Sequence, residues 1–163
     1  MKELLITGAW RCGEQQVQAL EQMGYAVTFW PDERQAVNMD TQRFEAVICG
    51  GLFLTTPIER FPALKCIQVT SAGLDRVPLD YCKAHGITVY NAGGVYSAPM
   101  AEFVLGGILQ LYKESKFFAE NQAAHRWEKH RGLRELSGKT ACIIGTGSCL
   151  LYTSPSPRDR SVS

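Results

Sequence analysis

Short apolar runs alternate with amphipathic stretches through the first 95 residues. Glu3-Leu-Leu-Ile-Thr7 has the pattern of a buried strand and stops at Gly8. Within Gln15–Met23, the residues Val17, Leu20 and Met23 fall at helical spacing, and Gly24 stands where a helix C-cap places glycine. Tyr25–Trp30 is rich in aromatic and β-branched residues and ends at Pro31, so it predicts a second strand. Phe44–Cys49 predicts a third, closed by Gly50-Gly51, and Lys65–Thr70 a fourth. Leu79–His85 predicts a short helix between Pro78 and Gly86, and Ile87–Asn91 a fifth strand.

The strands are aliphatic without clean polar alternation, and helices separate them. That combination predicts an α/β fold with a parallel five-stranded sheet covered on both faces. Ligands of such sheets bind at the carboxyl ends of the strands. Here those ends are Gly8, the Gly50-Gly51 turn, Thr70–Gly73 and Asn91–Gly94.

The pattern then changes. One long helix is expected from about Ala98 to about Gln122, with Pro99 in its first turn and Glu102 supporting its positive end. Gly106-Gly107 inside it costs up to ~2 kcal/mol relative to alanine, which predicts close packing against another backbone. His125–Arg134 reads as a charged loop holding Trp127, and Lys139–Ile144 as a new strand leading into Gly145-Thr-Gly147. From residue 149 the helical period is lost and two prolines fall within three residues, so 149–163 is expected to be disordered.

Composition narrows the function classes. The 163 residues carry 17 Lys plus Arg against 16 Asp plus Glu, a net charge of +1, so no basic field invites nucleic acid or an anionic membrane. No segment approaches the ~20 apolar residues of a membrane span, and the amino terminus is too short in aliphatic residues for a signal peptide. Six cysteines without a C-x-x-C spacing predict buried thiols in a reducing cytoplasm rather than a disulfide framework.

Three glycine-bearing stretches could carry chemistry. Gly145-Thr-Gly147 after a strand starts a dinucleotide-binding turn, G-x-G-x-x-G, but Leu150 holds the place of the third glycine. Gly8–Gly13 has the spacing of a phosphate loop, yet Glu14-Gln15 replace its lysine and hydroxyl, so it reads as a plain strand-to-helix turn. Thr70-Ser-Ala-Gly-Leu-Asp75 is either a turn capped by Asp75 or an anion nest of successive N–H groups. His85, His125 and His130 have no second ligand at metal-binding spacing.

Five motifs occur together in order: Thr70–Asp75, Gly86-Ile-Thr-Val-Tyr-Asn91, Ala101-Glu102 opening a helix, Trp127, and Leu136-Ser-Gly-Lys-Thr140 with Ile143-Ile-Gly-Thr-Gly147. Over about residues 1–148 the chain resembles the D-isomer-specific 2-hydroxyacid dehydrogenases, the family of phosphoglycerate dehydrogenase. The resemblance implies a flavodoxin-like substrate domain, its amino-terminal part at 1–95. The start of a truncated Rossmann NAD-binding domain would follow at 96–148, contributing its first helix and first strand.

It also implies roles. The backbone of Ser71, Ala72 and Gly73 would face the substrate carboxylate, with Ala72 also at the nicotinamide end of the cofactor. Met100 would touch the cofactor without a hydrogen bond, and Gly145 and Gly147 would begin its pyrophosphate turn. The cofactor would be NAD, and the residue that separates NAD from NADP lies beyond this sequence. The substrate would be a small 2-hydroxy or 2-oxo acid, and the complete protein a homodimer. The family's catalytic arginine, glutamate and histidine have no counterpart here, so no catalytic residue is assigned and the chain is expected to be inactive alone. A non-catalytic dinucleotide-sensing or co-repressor-like scaffold on the same fold is the alternative. Cys149–Asp159 resembles a translated sequencing adapter, which marks 149–163 as non-native.

Overall fold

The structure, a computed structural model, describes residues 1–145 and 147. The expectations for Leu150 and for 149–163 fall outside them. The chain divides into two compact units, Met1–Gly93 and a second that begins at Gly94.

The first unit is a five-stranded sheet in the order β2-β1-β3-β4-β5. Its strands are β1 (Lys2–Thr7), β2 (Tyr25–Trp30), β3 (Ala46–Cys49), β4 (Cys66–Val69) and β5 (Thr88–Tyr90). Every pairing is parallel, with Leu5 opposite Thr28 and Val47, and Ile67 opposite Val47 and Val89. This is the strand order of flavodoxin-like sheets, and the order reverses at β1 and β3. In β1 the residues Leu4, Leu5, Ile6 and Thr7 are all buried, so both faces of the central sheet are covered. The core is completed by Val37, Phe44, Leu52, Ile58, Phe61 and Cys82 from the connections.

Those connections are economical. Helix α1 (Glu14–Gln22) joins β1 to β2; Gln16 Oε1 accepts the Gly13 N–H at 3.0 Å, satisfying one orphan donor at its start. Its apolar stripe is only half covered, and Met23 lies exposed at the C-cap. Gly24 (φ +88°) takes the left-handed conformation that ends the helix. Between β3 and β4 the chain forms two short 3-10 turns, Leu52–Leu54 and Ile58–Arg60, which the pattern does not announce. Helix α2 (Leu79–Ala84) leads to Gly86 (φ +68°) and β5.

The second unit departs from expectation in four ways. The single helix is two, α3 (Ser97–Tyr112) and α4 (Ser115–Ala123), broken at Glu114, which adopts φ +48°. A non-glycine residue there costs roughly 1 kcal/mol. The following segment turns back onto the break. The Arg134 N–H donates to the Tyr112 carbonyl at 3.3 Å, Lys113 Nζ donates to the Arg134 carbonyl at 2.9 Å, and His130 pairs with Glu114 at 2.8 Å. These contacts satisfy the orphan carbonyl of the broken helix, and no glycine or proline marks the site.

Glu102 stands beyond the first turn of α3, so it does not support that helix end. Gly106 and Gly107 have nothing within 4 Å of a Cβ placed on them, so no backbone packs closely there among the described residues. Finally, Lys139–Ile144 forms no strand, and the described residues of the second unit contain no other strand to give it a ladder. The apolar residues of α3 are correspondingly open, with Phe103 80% and Leu111 79% exposed. No helix among the described residues is long and apolar enough to cross a membrane.

Candidate functional site

The carboxyl edge of the sheet gathers the ends of β1, β3, β4 and β5. At β1, Gly8 is required by space: its N–H donates to the Trp30 carbonyl at 2.8 Å, and a Cβ would lie 2.0 Å from the Pro31 carbonyl oxygen. Any side chain there would push the ends of β1 and β2 apart.

After β4 the chain enters Ser71-Ala72-Gly73, half-buried at Ser71 and exposed at the next two residues. All three carbonyls are satisfied within the unit. Ala92 N–H donates to Ser71 O at 3.0 Å, Asn91 Nδ2 to Ala72 O at 2.7 Å, and Ser71 Oγ to Gly73 O at 2.9 Å. Asn91 is itself fixed by the Gly93 N–H, which donates to its Oδ1 at 3.2 Å. By contrast, no described residue accepts a hydrogen bond from the N–H of Ser71, Ala72 or Gly73. The loop therefore turns its donors outward, the polarity of an anion nest. A Cβ on Gly73 would lie 2.8 Å from Asp75 Oδ1, so the Asp75 carboxylate borders the loop on the Cα side of Gly73.

One strand away the same kind of donor pair is already filled. Glu33, in the irregular connection after β2, places its carboxylate on the Gly50-Gly51 turn. Gly50 N–H donates to Oε1 at 2.7 Å and Gly51 N–H to Oε2 at 2.6 Å. The hydroxyl of Thr7, fully buried at the end of β1, donates to Oε1 as well. Thr55 Oγ1 donates to the Glu33 carbonyl at 2.7 Å, which pins the backbone that carries the side chain. Glu33 is the residue that sequence reasoning missed. The Gly50-Gly51 pair at a strand end signals available N–H groups, but nothing in the pattern shows which acid fills them.

The remaining candidates lie in the second unit. Met100 sits at the start of α3, 48% exposed. Gly145 (φ +121°) and Gly147 are exposed in irregular chain, with Thr146 outside the described residues. A dinucleotide pyrophosphate is held at the helix N-terminus that follows a strand and its glycine turn. Among the described residues 139–144 form no strand, and the positions where a following helix would begin fall outside them.

Two of the three histidines are engaged by neighbours in their own units. His85 stacks on Tyr81 at 3.8 Å and its Nδ1 lies 2.9 Å from the Tyr81 carbonyl, while His130 pairs with Glu114 against Phe117. A groove of about 600 Å³ lined by Phe118, Asn121, Trp127 and His130 contains none of the residues assigned to substrate or cofactor. Cys49 and Cys82 are buried, Cys12 and Cys66 are half-buried and Cys142 is exposed. Burial, with the Glu33 charge second, pushes the Cys49 thiol up to about 12, so it is no nucleophile near neutral pH.

The sequence has informative relatives. It is 29% identical over 106 residues to a glyoxylate/hydroxypyruvate reductase of Arabidopsis thaliana, covering 63% of this chain and 33% of that protein. It is 38% identical over 93 residues to the D-3-phosphoglycerate dehydrogenase of Haemophilus influenzae, covering 55% of this chain and 22% of that one.

In fold it matches the D-lactate dehydrogenase of Aquifex aeolicus, solved with NAD and lactic acid. The TM-score is 0.72 at 22% identity, covering 92% of this chain and 46% of that one. It also matches the NADPH-dependent glyoxylate/hydroxypyruvate reductase of Sinorhizobium meliloti, solved with NADP and malonate. There the TM-score is 0.70 at 22% identity, covering 99% and 51%. The chain thus spans a third or less of the two sequence relatives and about half of the two solved structures. The profile of the family described as D-isomer specific 2-hydroxyacid dehydrogenase, catalytic domain, matches residues 5–153. With most of its length so matched, and with a parallel sheet of this order, the chain belongs to the D-isomer specific 2-hydroxyacid dehydrogenase family.

Proposed function

We propose that this chain is the amino-terminal, substrate-side half of an NAD- or NADP-dependent oxidoreductase that interconverts a 2-hydroxy acid and its 2-oxo acid. The observation that carries the reading is the polarity of Ser71-Ala72-Gly73. Three carbonyls are satisfied internally, and three successive N–H groups have no acceptor among the described residues. A substrate carboxylate fits that nest, since charge-assisted hydrogen bonds to backbone N–H groups are the strong ones. Asn91 acts as the strut: by holding the Ala72 carbonyl it fixes which way the peptide planes face.

No acid–base is assigned beside the nest among the described residues of the first unit. Hydride transfer needs reacting atoms held about 3–3.5 Å apart, and a positioned acid–base contributes typically 10²–10⁴-fold. In the first unit the one histidine, His85, is stacked on Tyr81. Met100, Gly145 and Gly147 stay assigned to the cofactor side by resemblance alone, and residues 1–163 are expected to be inactive by themselves. The acid taken, the pairing of two complete copies and a cytoplasmic location belong to the same reading.

The test is absorbance at the NADH band, using purified residues 1–163 and a panel of 2-oxo acids. No turnover above the buffer rate is expected, and joining a family member's remaining residues should produce it. Turnover by 1–163 alone, abolished by Gly73→Val, would overturn the assignment of a half-site.

A further inference from the structure

The carboxyl edge holds two neighbouring sets of backbone N–H donors in opposite states. Those at Ser71–Gly73 are open. Those at Gly50 and Gly51 are filled by Glu33 at 2.7 and 2.6 Å. Resting on the carboxylate role proposed for Ser71–Gly73, we infer that Glu33 restricts this site to substrates with one anionic end: a 2-oxo or 2-hydroxy monocarboxylate that bears no phosphate.

The two donor sets lie on adjacent strands. β3 and β4 pair in parallel through Cys49 and Val69, and neighbouring strands lie about 4.8 Å apart. A Cβ on Gly50 would lie 3.3 Å from Thr70 Oγ1 and 3.2 Å from Glu33 Oε2, so the Glu33 carboxylate stands close to where the Ser71–Gly73 loop begins. A three-carbon acid held by its carboxylate at Ser71–Gly73 would carry a terminal phosphate toward neighbouring donors. Glu33 removes the Gly50-Gly51 pair from that service and puts a fixed negative charge in its place. It cannot simply swing aside, because Thr55 holds its carbonyl and Thr7 its side chain. The nearby cation, Arg76, passes Gly51 with its stem, Cδ lying 3.7 Å from the Cβ position, and is exposed to solvent, while the half-buried Glu33 carboxylate takes both N–H groups.

The restriction works by exclusion, so removing the excluding group should relax it. The experiment is titration of the ¹⁵N-labelled 163-residue chain with hydroxypyruvate, with its phosphate ester and with inorganic phosphate, followed at individual amides. Hydroxypyruvate should shift Ser71, Ala72 and Gly73 and leave Gly50 and Gly51 in place. The ester should bind about tenfold more weakly. In Glu33→Ala the preference should vanish, and both the ester and inorganic phosphate should now shift Gly50 and Gly51. Glu33→Gln, which keeps the volume and loses the charge, should move the same way and serves if the alanine variant does not fold.

An ester that binds the unmodified chain as well as hydroxypyruvate does would overturn the inference. So would a preference that survives both substitutions, or inorganic phosphate shifting Gly50 and Gly51 in the unmodified chain. If hydroxypyruvate fails to shift Ser71–Gly73, the carboxylate role falls instead. The inorganic phosphate titration still reads the occupancy of Gly50 and Gly51 by Glu33.

Discussion

The two units draw on similar residues and treat them differently. In the first, Leu5, Ile6, Phe44, Leu52 and Ile67 are fully buried. In the second, α3 carries a comparable density of Phe, Val, Leu and Ile, yet Phe103, Val104, Leu105, Leu109 and Leu111 are exposed. Of the described residues from Gly94 onward, only Ser97, Ala101 and Asn121 are buried. Apolar content thus marks an element that can enter a core, not one that has. A parallel sheet makes its own core, since each strand is a neighbour of the next and the crossovers fold back onto its faces. A helix needs a second surface, and the described residues of the second unit supply little of one.

The most damaging substitution for this contrast is Phe44→Ala. It should cost about 3–5 kcal/mol through lost transfer energy and a cavity, read as a lower urea midpoint. The paired change Phe103→Ala on α3 should stay within ~0.5 kcal/mol, as exposed substitutions do. Equal losses at the two sites would break the comparison.

Next in size is an alkaline effect confined to the sheet. Cys49 holds its proton more tightly in the fold than in the open chain, because burial and the Glu33 charge disfavour its thiolate. Its contribution is intact below the ordinary value of 9.0 and is lost as pH rises from there toward about 12. Urea midpoints from pH 8 to 10.5 should fall more steeply for the unmodified chain than for Cys49→Val. Identical slopes would remove Cys49 from the account.

The smallest effect sharpens the contrast from the other side. Gly106→Ala and Gly107→Ala meet open space, so each should stabilise α3 by up to ~1 kcal/mol through helix propensity. Circular dichroism on heating reads it. A loss of stability would mean that a backbone approaches those glycines after all.

Legibility in the sequence followed the same division. All five strands were readable to within about two residues, and the glycines that end α1 and α2 were readable with them, because runs of Leu, Ile and Val between turn residues have few other uses. The break at Glu114 was not readable. No local residue demands it; Arg134 and His130, far along the chain, create it. The expected strand at Lys139–Ile144 had the right residues and no second strand among the described residues of its unit, and β structure exists only in pairs. The Ser71–Gly73 loop was visible as small residues after a strand, whereas the outward direction of its N–H groups required Asn91 and Ala92 to hold its carbonyls.

Sequence alone therefore determined the elements of the sheet, their parallel arrangement and the edge where a ligand would meet it, since periodicity and turn chemistry are local properties. Tertiary structure alone decided what those edges hold. Thr7, Glu33, Gly50 and Gly51 come from three separate stretches of chain, and only the order β2-β1-β3 places a carboxylate from one onto the free N–H groups of another. Hydrogen-bond partners at that separation in sequence leave no periodic trace; they exist because the fold brings strand ends side by side.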